Sequence, residues 1–194
     1  MVVGTIFPPP LIKKKYMPKI FAISDTWFNR LLDNDKNLNV VDNNNNIINN
    51  WNDLVDKNDI VYVLGGFGIA DMYHILVQLN GKIHFLSSYF NNDEIESMSM
   101  LKASVEKSCD IELKERIHFD NKQIVVLNEL DAVLSYFPLQ DWPGKSTGTY
   151  CFHGLNNNMD INEHNITCVA ENWDFNPVNI KEIQENILTF NNKI

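Results

Sequence analysis

Short runs of aliphatic and β-branched residues recur along this chain, and what separates them changes halfway. In the first half, runs at 19–24, 59–64 and 83–86 alternate with segments of helical period. One such segment carries Ile47, Ile48, Trp51, Leu54 and Val55 after an Asn-rich cap; the other carries Ile69, Met72, Ile75, Leu76 and Leu79 and ends at Asn80-Gly81. From residue 116 onward the runs follow one another at 116–119, 123–127, 132–136, 149–153 and 166–170, with a turn at Asp120-Asn121 between the first two. A last helix is expected at about 178–188, after Pro177, with Ile180, Ile183, Ile187 and Leu188 on one side. Alternating units followed by successive strands predict an α/β (α+β) architecture in which two packed sheets have helices outside. Asparagine clusters at 43–46, 49–50 and 156–158 read as loops, because Asn favours turns and tolerates left-handed backbone.

The 194 residues, 44% of them hydrophobic, suffice for one core and predict one domain. Residues 17–194 form that domain. Residues 1–16 differ from it: Pro8, Pro9 and Pro10 impose an extended conformation that can enter neither a helix nor the middle of a sheet. With Phe7, Leu11 and Ile12 they make an arm suited to docking on a partner or on the domain's own surface. A net charge of −9 excludes a broad electrostatic footprint on nucleic acid or on anionic membrane, and Lys13-Lys14-Lys15 reads as a solvated linker. Cys109, Cys151 and Cys168 are odd in number and lack zinc-type spacing, so two small buried thiols in a reducing compartment are expected rather than a disulfide framework. No apolar stretch approaches a membrane span, and the N-terminus lacks the order of a secretory signal. The expected setting is cytoplasmic or virion-associated, not secreted.

Five segments carry the chemical information: Ile23-Ser24-Asp25-Thr26-Trp27, Val63-Leu64-Gly65-Gly66-Phe67, Leu86-Ser87-Ser88-Tyr89-Phe90-Asn91, Leu134-Ser135-Tyr136-Phe137-Pro138-Leu139 and Phe152-His153-Gly154-Leu155-Asn156-Asn157. In this order, with Asp141-Trp142-Pro143-Gly144 and the stretch 171–178 as framing, they resemble the calcineurin-like metallophosphoesterases, particularly small stand-alone members of bacteria and phages. The resemblance spans about 18–183. It implies a four-layer sandwich of two mixed sheets flanked by helices, with a metal site on loops at one end.

Such enzymes hold two divalent ions about 3.5 to 4 Å apart, which requires several carboxylate and imidazole ligands from separate loops. Matched position by position, the resemblance leaves only Asp25 of that set. The histidine of Asp-x-His is Trp27, the bridging aspartate of Gly-Asp is Gly66, and the Asn-His pair of Gly-Asn-His-Asp is Tyr89 and Phe90. The later histidines are Tyr136, Leu155 and Asn157. A residual single site from Asp25, Asn91, His153 and Asn157 would be poor in carboxylate for a hard cation and poor in imidazole for zinc. Asp25 then reads as a turn cap and His153 as a hydrogen-bonded structural residue. No cofactor is expected.

The replacements are large and mostly apolar, which suggests a filled cleft. Left exposed, the same side chains would form a patch suited to a protein partner. The expected function is a catalytically inactive metallophosphoesterase-like protein reused as a structural or interaction subunit, in a phage particle or another large assembly, with protein partners or copies of itself. The alternatives are a residual metal-dependent phosphoesterase and a nucleotide- or phosphate-binding module without hydrolysis. Ser87 and Ser88 near His84 lack a third orienting group for nucleophilic catalysis.

Overall fold

In a computed structural model of the chain, the structure describes residues 17–30, 40–87, 92–155 and 164–191. The arm at 1–16, together with Tyr89, Phe90, Asn91 and Asn157, lies outside the described residues. The chain runs β1 (Ile20–Ile23), α1 (Val40–Leu54), β2 (Ile60–Val63), α2 (Tyr73–Leu76), β3 (Lys82–Phe85), α3 (Asn92–Lys107), α4 (Ile111–Arg116) and β4 (Ile117–Phe119). It continues with β5 (Ile124–Leu127), β6 (Ala132–Ser135), β7 (Tyr150–His153), β8 (Asn165–Thr167), β9 (Val178–Asn179) and α5 (Ile180–Asn191).

Two mixed sheets result. The first has the order β4-β3-β2-β1-β9, parallel except for β9; the second has the order β5-β6-β7-β8, parallel except for β5. The inner strands of a parallel sheet are buried on both faces, so their runs are continuously apolar. Phe21, Ile23, Val61, Val63, Ile83 and Phe85 face the helices, where Ile47 and Trp51 of α1 and Leu101 and Val105 of α3 meet them. On the opposite face, Ala22, Leu64 and Leu86 pack against Leu134, Phe152 and Cys168 from the second sheet. The outer face of the second sheet is covered in its middle by a loop, whose Trp142 and Leu139 lie on Val133 and Cys151. Trp142 Nε1 donates to the Thr149 carbonyl at 2.8 Å, which satisfies the indole in its buried position.

Two helical expectations need correction. Asn43–Asn46, Asn49 and Asn50 are not loops: they lie inside α1, because Ile47, Ile48 and Trp51 bury one side of that helix and the core they join outweighs the weak helix propensity of Asn. Asn44 has a specific task there. It accepts the Asn29 backbone N–H at 3.0 Å and donates to the Asn29 side chain at 2.8 Å, holding a residue whose φ is 64°. Asn44→Ala is expected to lower stability by about 1 kcal/mol in urea unfolding, the two lost hydrogen bonds being partly offset by the better helix propensity of Ala.

The second correction concerns 69–79, where only the single turn α2 is helical. Ile69 N–H bonds instead to the Phe28 carbonyl at 3.0 Å, and the backbone bridges Phe28 to Gly68, which takes the first residues out of any helix. α3 and α4 are not expected from the sequence: the buried stripe of α3 begins with Glu94 and Ser97 before it reaches Leu101 and Val105. Cys151 and Cys168 are buried free thiols, whereas Cys109 is exposed. No helix among the described residues is long and apolar enough to cross a membrane.

Candidate functional site

The carboxyl ends of β1, β2, β6 and β7 open at one end of the molecule, where the two sheets are tied together. Ser24 N–H donates to the Cys168 carbonyl and Ala170 N–H to the Ser24 carbonyl, each at 2.8 Å. Immediately after β1 the chain zips onto the loop that follows β2. Asp25 N–H reaches the Gly65 carbonyl at 3.0 Å, Trp27 N–H the Gly66 carbonyl at 3.0 Å and Phe28 N–H the Phe67 carbonyl at 2.9 Å. Thr26 is buried and its hydroxyl donates to the Phe67 carbonyl at 2.7 Å. This zipper holds Asp25 and Trp27 at φ of 55° and 48°, a left-handed conformation that costs a bulky residue energy and that clusters at functional loops.

Asp25 lies directly against Gly66. A Cβ added to Gly66, itself at φ 56°, would lie 2.0 Å from Asp25 Oδ1 and 2.8 Å from Asp25 Cα. The Asp25 carboxylate therefore occupies the space into which a side chain at 66 would project. Gly154 repeats the theme from the other sheet, since its Cβ would stand 2.6 Å from Ser24 Oγ and 3.0 Å from Leu64 Cβ. The two sheets approach here at backbone distance, which only glycine permits.

The electrostatics of this end are acidic. Burial pushes the Asp25 carboxyl up to about 6; the Ser24 hydroxyl, donating at 3.3 Å, opposes this, and the charges of Glu94 and Glu171 add to it. Burial and the same Asp25 and Glu94 charges push the Tyr136 phenol up to about 12. Glu94, 5% exposed in the first turn of α3, and Glu171, in the 3₁₀ turn after β8, are the site residues that sequence reasoning missed. The available signal was their position: acids in a first turn are held by the helix N-terminus. His153 is buried and neutral by desolvation, and its Nδ1–H donates to the Leu155 carbonyl at 3.0 Å.

Trp27, Tyr136 and Leu155 are each half-buried. The Arg30 guanidinium lies 4.9 Å from the Trp27 ring centre, and Tyr136 meets the exposed Phe137 edge-on at 4.9 Å. Beside them is a cavity of about 90 Å³ walled by Ile124, Ser135, Tyr136, Phe137 and Leu139. A larger one, about 460 Å³, lies away from this end along β4, between Lys102, Val105, Lys114 and Phe119.

The residues present do not fit a two-metal centre. Among those described, no three His, Cys, Asp or Glu side chains converge in a way that would hold an ion. The place of a second carboxylate at 66 is taken by Asp25 itself, and Trp27, Tyr136 and Leu155 bring no carboxylate or imidazole.

Fold and site together define an α/β protein of two mixed sheets whose polar end is rimmed by aromatic side chains. Compared with solved structures, the chain is similar to a protein of unknown function from Aquifex aeolicus, with 19% identity and a TM-score of 0.52 over 87% of this chain and 99% of that one. At that identity the likeness shows the fold alone. No family model matches the chain, and no curated protein matches it.

Proposed function

We propose that this is a metallophosphoesterase-like fold, in the four-layer form its motifs resemble, that has lost its catalytic metal chemistry and serves as a contact subunit in a larger assembly. The observation that carries the reading is the Asp25–Gly66 contact: the one retained ligand position folds into the space of its missing neighbour, so the pocket is closed to the donor set that catalysis requires. The half-buried Trp27 and Tyr136 and the 42% exposed Phe137 support a contact role, since aromatic residues are enriched in interface cores. A phosphate- or nucleotide-binding module is disfavoured by the field at the site. Burial is the main cause that raises the Asp25 proton affinity; the negative charges of Glu94 and Glu171 add to it, and those charges repel a phosphate.

The test is hydrolysis of bis(p-nitrophenyl) phosphate with added Mn²⁺, using Asp25→Ala as control, together with calorimetric titration of Mn²⁺ alone. The expected result is turnover indistinguishable from the blank and no saturable heat. Turnover that disappears in Asp25→Ala would overturn the proposal in favour of a residual metal-dependent phosphoesterase.

A further inference from the structure

Three rings stand in a row across the first sheet, on the face turned away from α1 and α3. Tyr62, His84 and His118 occupy matched positions on β2, β3 and β4. The Tyr62 and His84 rings lie 5.1 Å apart, and the His84 and His118 imidazoles are stacked at 4.4 Å with 22° between their planes. Asp120, two residues beyond His118, reaches back across the strand pair. Its Oδ2 accepts the His84 Nδ1–H at 3.0 Å, the tautomer that a carboxylate selects. The Asp120 backbone N–H donates to the Phe85 carbonyl at 2.9 Å, and the Lys122 carbonyl accepts the Ser87 N–H at 2.8 Å. The row therefore sits where the chain leaves β4 and the first sheet to begin β5 in the second. β4 has only 3 residues and ends its sheet, with β3 as its strand neighbour.

We infer that this row is an acid-operated latch: at neutral pH the stack and the His84–Asp120 bond hold β4 against β3, and a proton on His118 releases β4 together with the crossover at 120–123. One carboxylate serves two imidazoles, and it is committed to His84. A protonated His118 faces the second imidazole at 4.4 Å in a partly desolvated contact, where like charges repel. The other charges around His118 do not relieve this. Lys82 adds to the repulsion from β3, and the cavity that His118 shares with α3 and α4 brings Lys102 and Lys114 against Glu106. Burial first, then the His84 and Lys82 charges, hold the His118 imidazole below its ordinary value of 6.5, opposed by Asp120 and by a hydrogen bond to the Glu115 backbone. The His84 and Asp120 side chains are 22% and 29% exposed, so solvent protons reach the row directly. As the pH falls through 6.5, an opened β4 takes up a proton that the closed form resists, and the closed form loses ground by up to about tenfold per pH unit until the lowered folded value is passed.

The experiment is amide hydrogen exchange by NMR on the full chain at pH 7 and pH 5, corrected for intrinsic exchange rates. The Asp120 N–H reports the latch. The Leu64 N–H, bonded to the Ile23 carbonyl at 2.9 Å in the middle of the same sheet, reports global opening and with it any effect of Asp25 on overall stability. Protection at Asp120 relative to Leu64 is expected to fall about threefold or more from pH 7 to pH 5. In His118→Phe, which keeps a ring against His84 but takes no proton, the ratio is expected to stay constant. His118→Gln is measured in parallel, and circular dichroism identifies which variant is folded. A ratio in the parent that does not change with pH overturns the inference. So does an equal fall in the folded variant, which would place the proton on another group, or a His118 Cε1–H titration whose midpoint is not below that of an unstructured histidine.

Discussion

Gly66→Asp, which restores a carboxylate at the position where two-metal phosphoesterases carry one, is expected to destabilise the protein by about 4 kcal/mol or more, enough to leave much of it unfolded or insoluble. Two physical terms add. The new Cβ meets Asp25 Oδ1 at 2.0 Å and, less avoidably, the Asp25 Cα at 2.8 Å, so the backbone of one of the two zipped loops has to move. Residue 66 also sits at φ 56°, where an L side chain costs about 1 to 2 kcal/mol by itself. A third, smaller term is the like charge placed against Asp25 in a region already made acidic by Glu94 and Glu171. Gly66→Ala isolates the steric part and is expected to cost about 3 kcal/mol. Urea unfolding of both variants, with and without Mn²⁺, is the measurement. A Gly66→Asp protein as stable as the parent, or one rescued by the ion, would show that the pocket accommodates a second carboxylate and would remove the main support for a non-catalytic role.

Asp25→Asn is expected to act in the opposite direction. In the folded protein the Asp25 carboxyl is raised from 3.8 to about 6, so the folded state binds this proton more tightly than the unfolded state does. Above pH 6 the group is ionised in both states, and its charge opposes folding in full. As the pH falls from about 6 through 3.8 the folded state takes up the proton first and the penalty fades, so this group makes the protein more stable on mild acidification. The displacement corresponds to about 3 kcal/mol for a fully desolvated group, and partial solvation brings it to about 2. Asn removes the charge at every pH, keeps an oxygen to accept the Ser24 hydroxyl and is well tolerated in the left-handed region that residue 25 occupies. At pH 8 the variant should therefore be about 2 kcal/mol more stable, a rise in Tm of roughly 4 to 8 °C for a chain of this length, and at pH 4 most of that gain should be gone. A gain that is constant with pH would assign the effect to packing; a loss would mean that the charge has a compensating partner.

Much of the fold is legible from local pattern. Each strand from β1 to β8 overlaps one of the runs of β-branched and aliphatic residues, although β3 and β8 begin one residue early and β8 stops at Thr167, because a strand buried on one or both faces writes its burial into consecutive side chains. α5 is nearly as plain: Ile180, Ile183 and Ile187 share one side and pack against the core between the sheets, although Val178 and Asn179 form β9 rather than its first residues and Leu188 is exposed. Illegibility arises where buried positions are polar or where a remote segment captures the backbone. α3 buries Glu94 and Ser97, and the Ser97 hydroxyl meets the Ala70 N–H at 2.9 Å, a contact with no trace in the helix's own period. The segment before α2 has helical spacing, but its backbone is bonded to Phe28. At the site, motif order singled out Asp25, Trp27, Gly66, Tyr136 and Leu155, but nothing in it pointed to Glu94 and Glu171 as the charges that act on Asp25.

The sequence by itself determined which segments become strands, that the residues at the strand ends are poor metal donors, and that an uncharged segment precedes three prolines at the N-terminus. Tertiary structure alone decided that Asp25 lies in the space beside Gly66, that Glu94 and Glu171 charge the same pocket from elements far apart in the chain, and that β5 lies at the end of the second sheet. The reason is one of range. Periodicity along a chain records which face of an element avoids water, but the partners that face meets depend on strand order and sheet packing, which bring together residues that share no local signal.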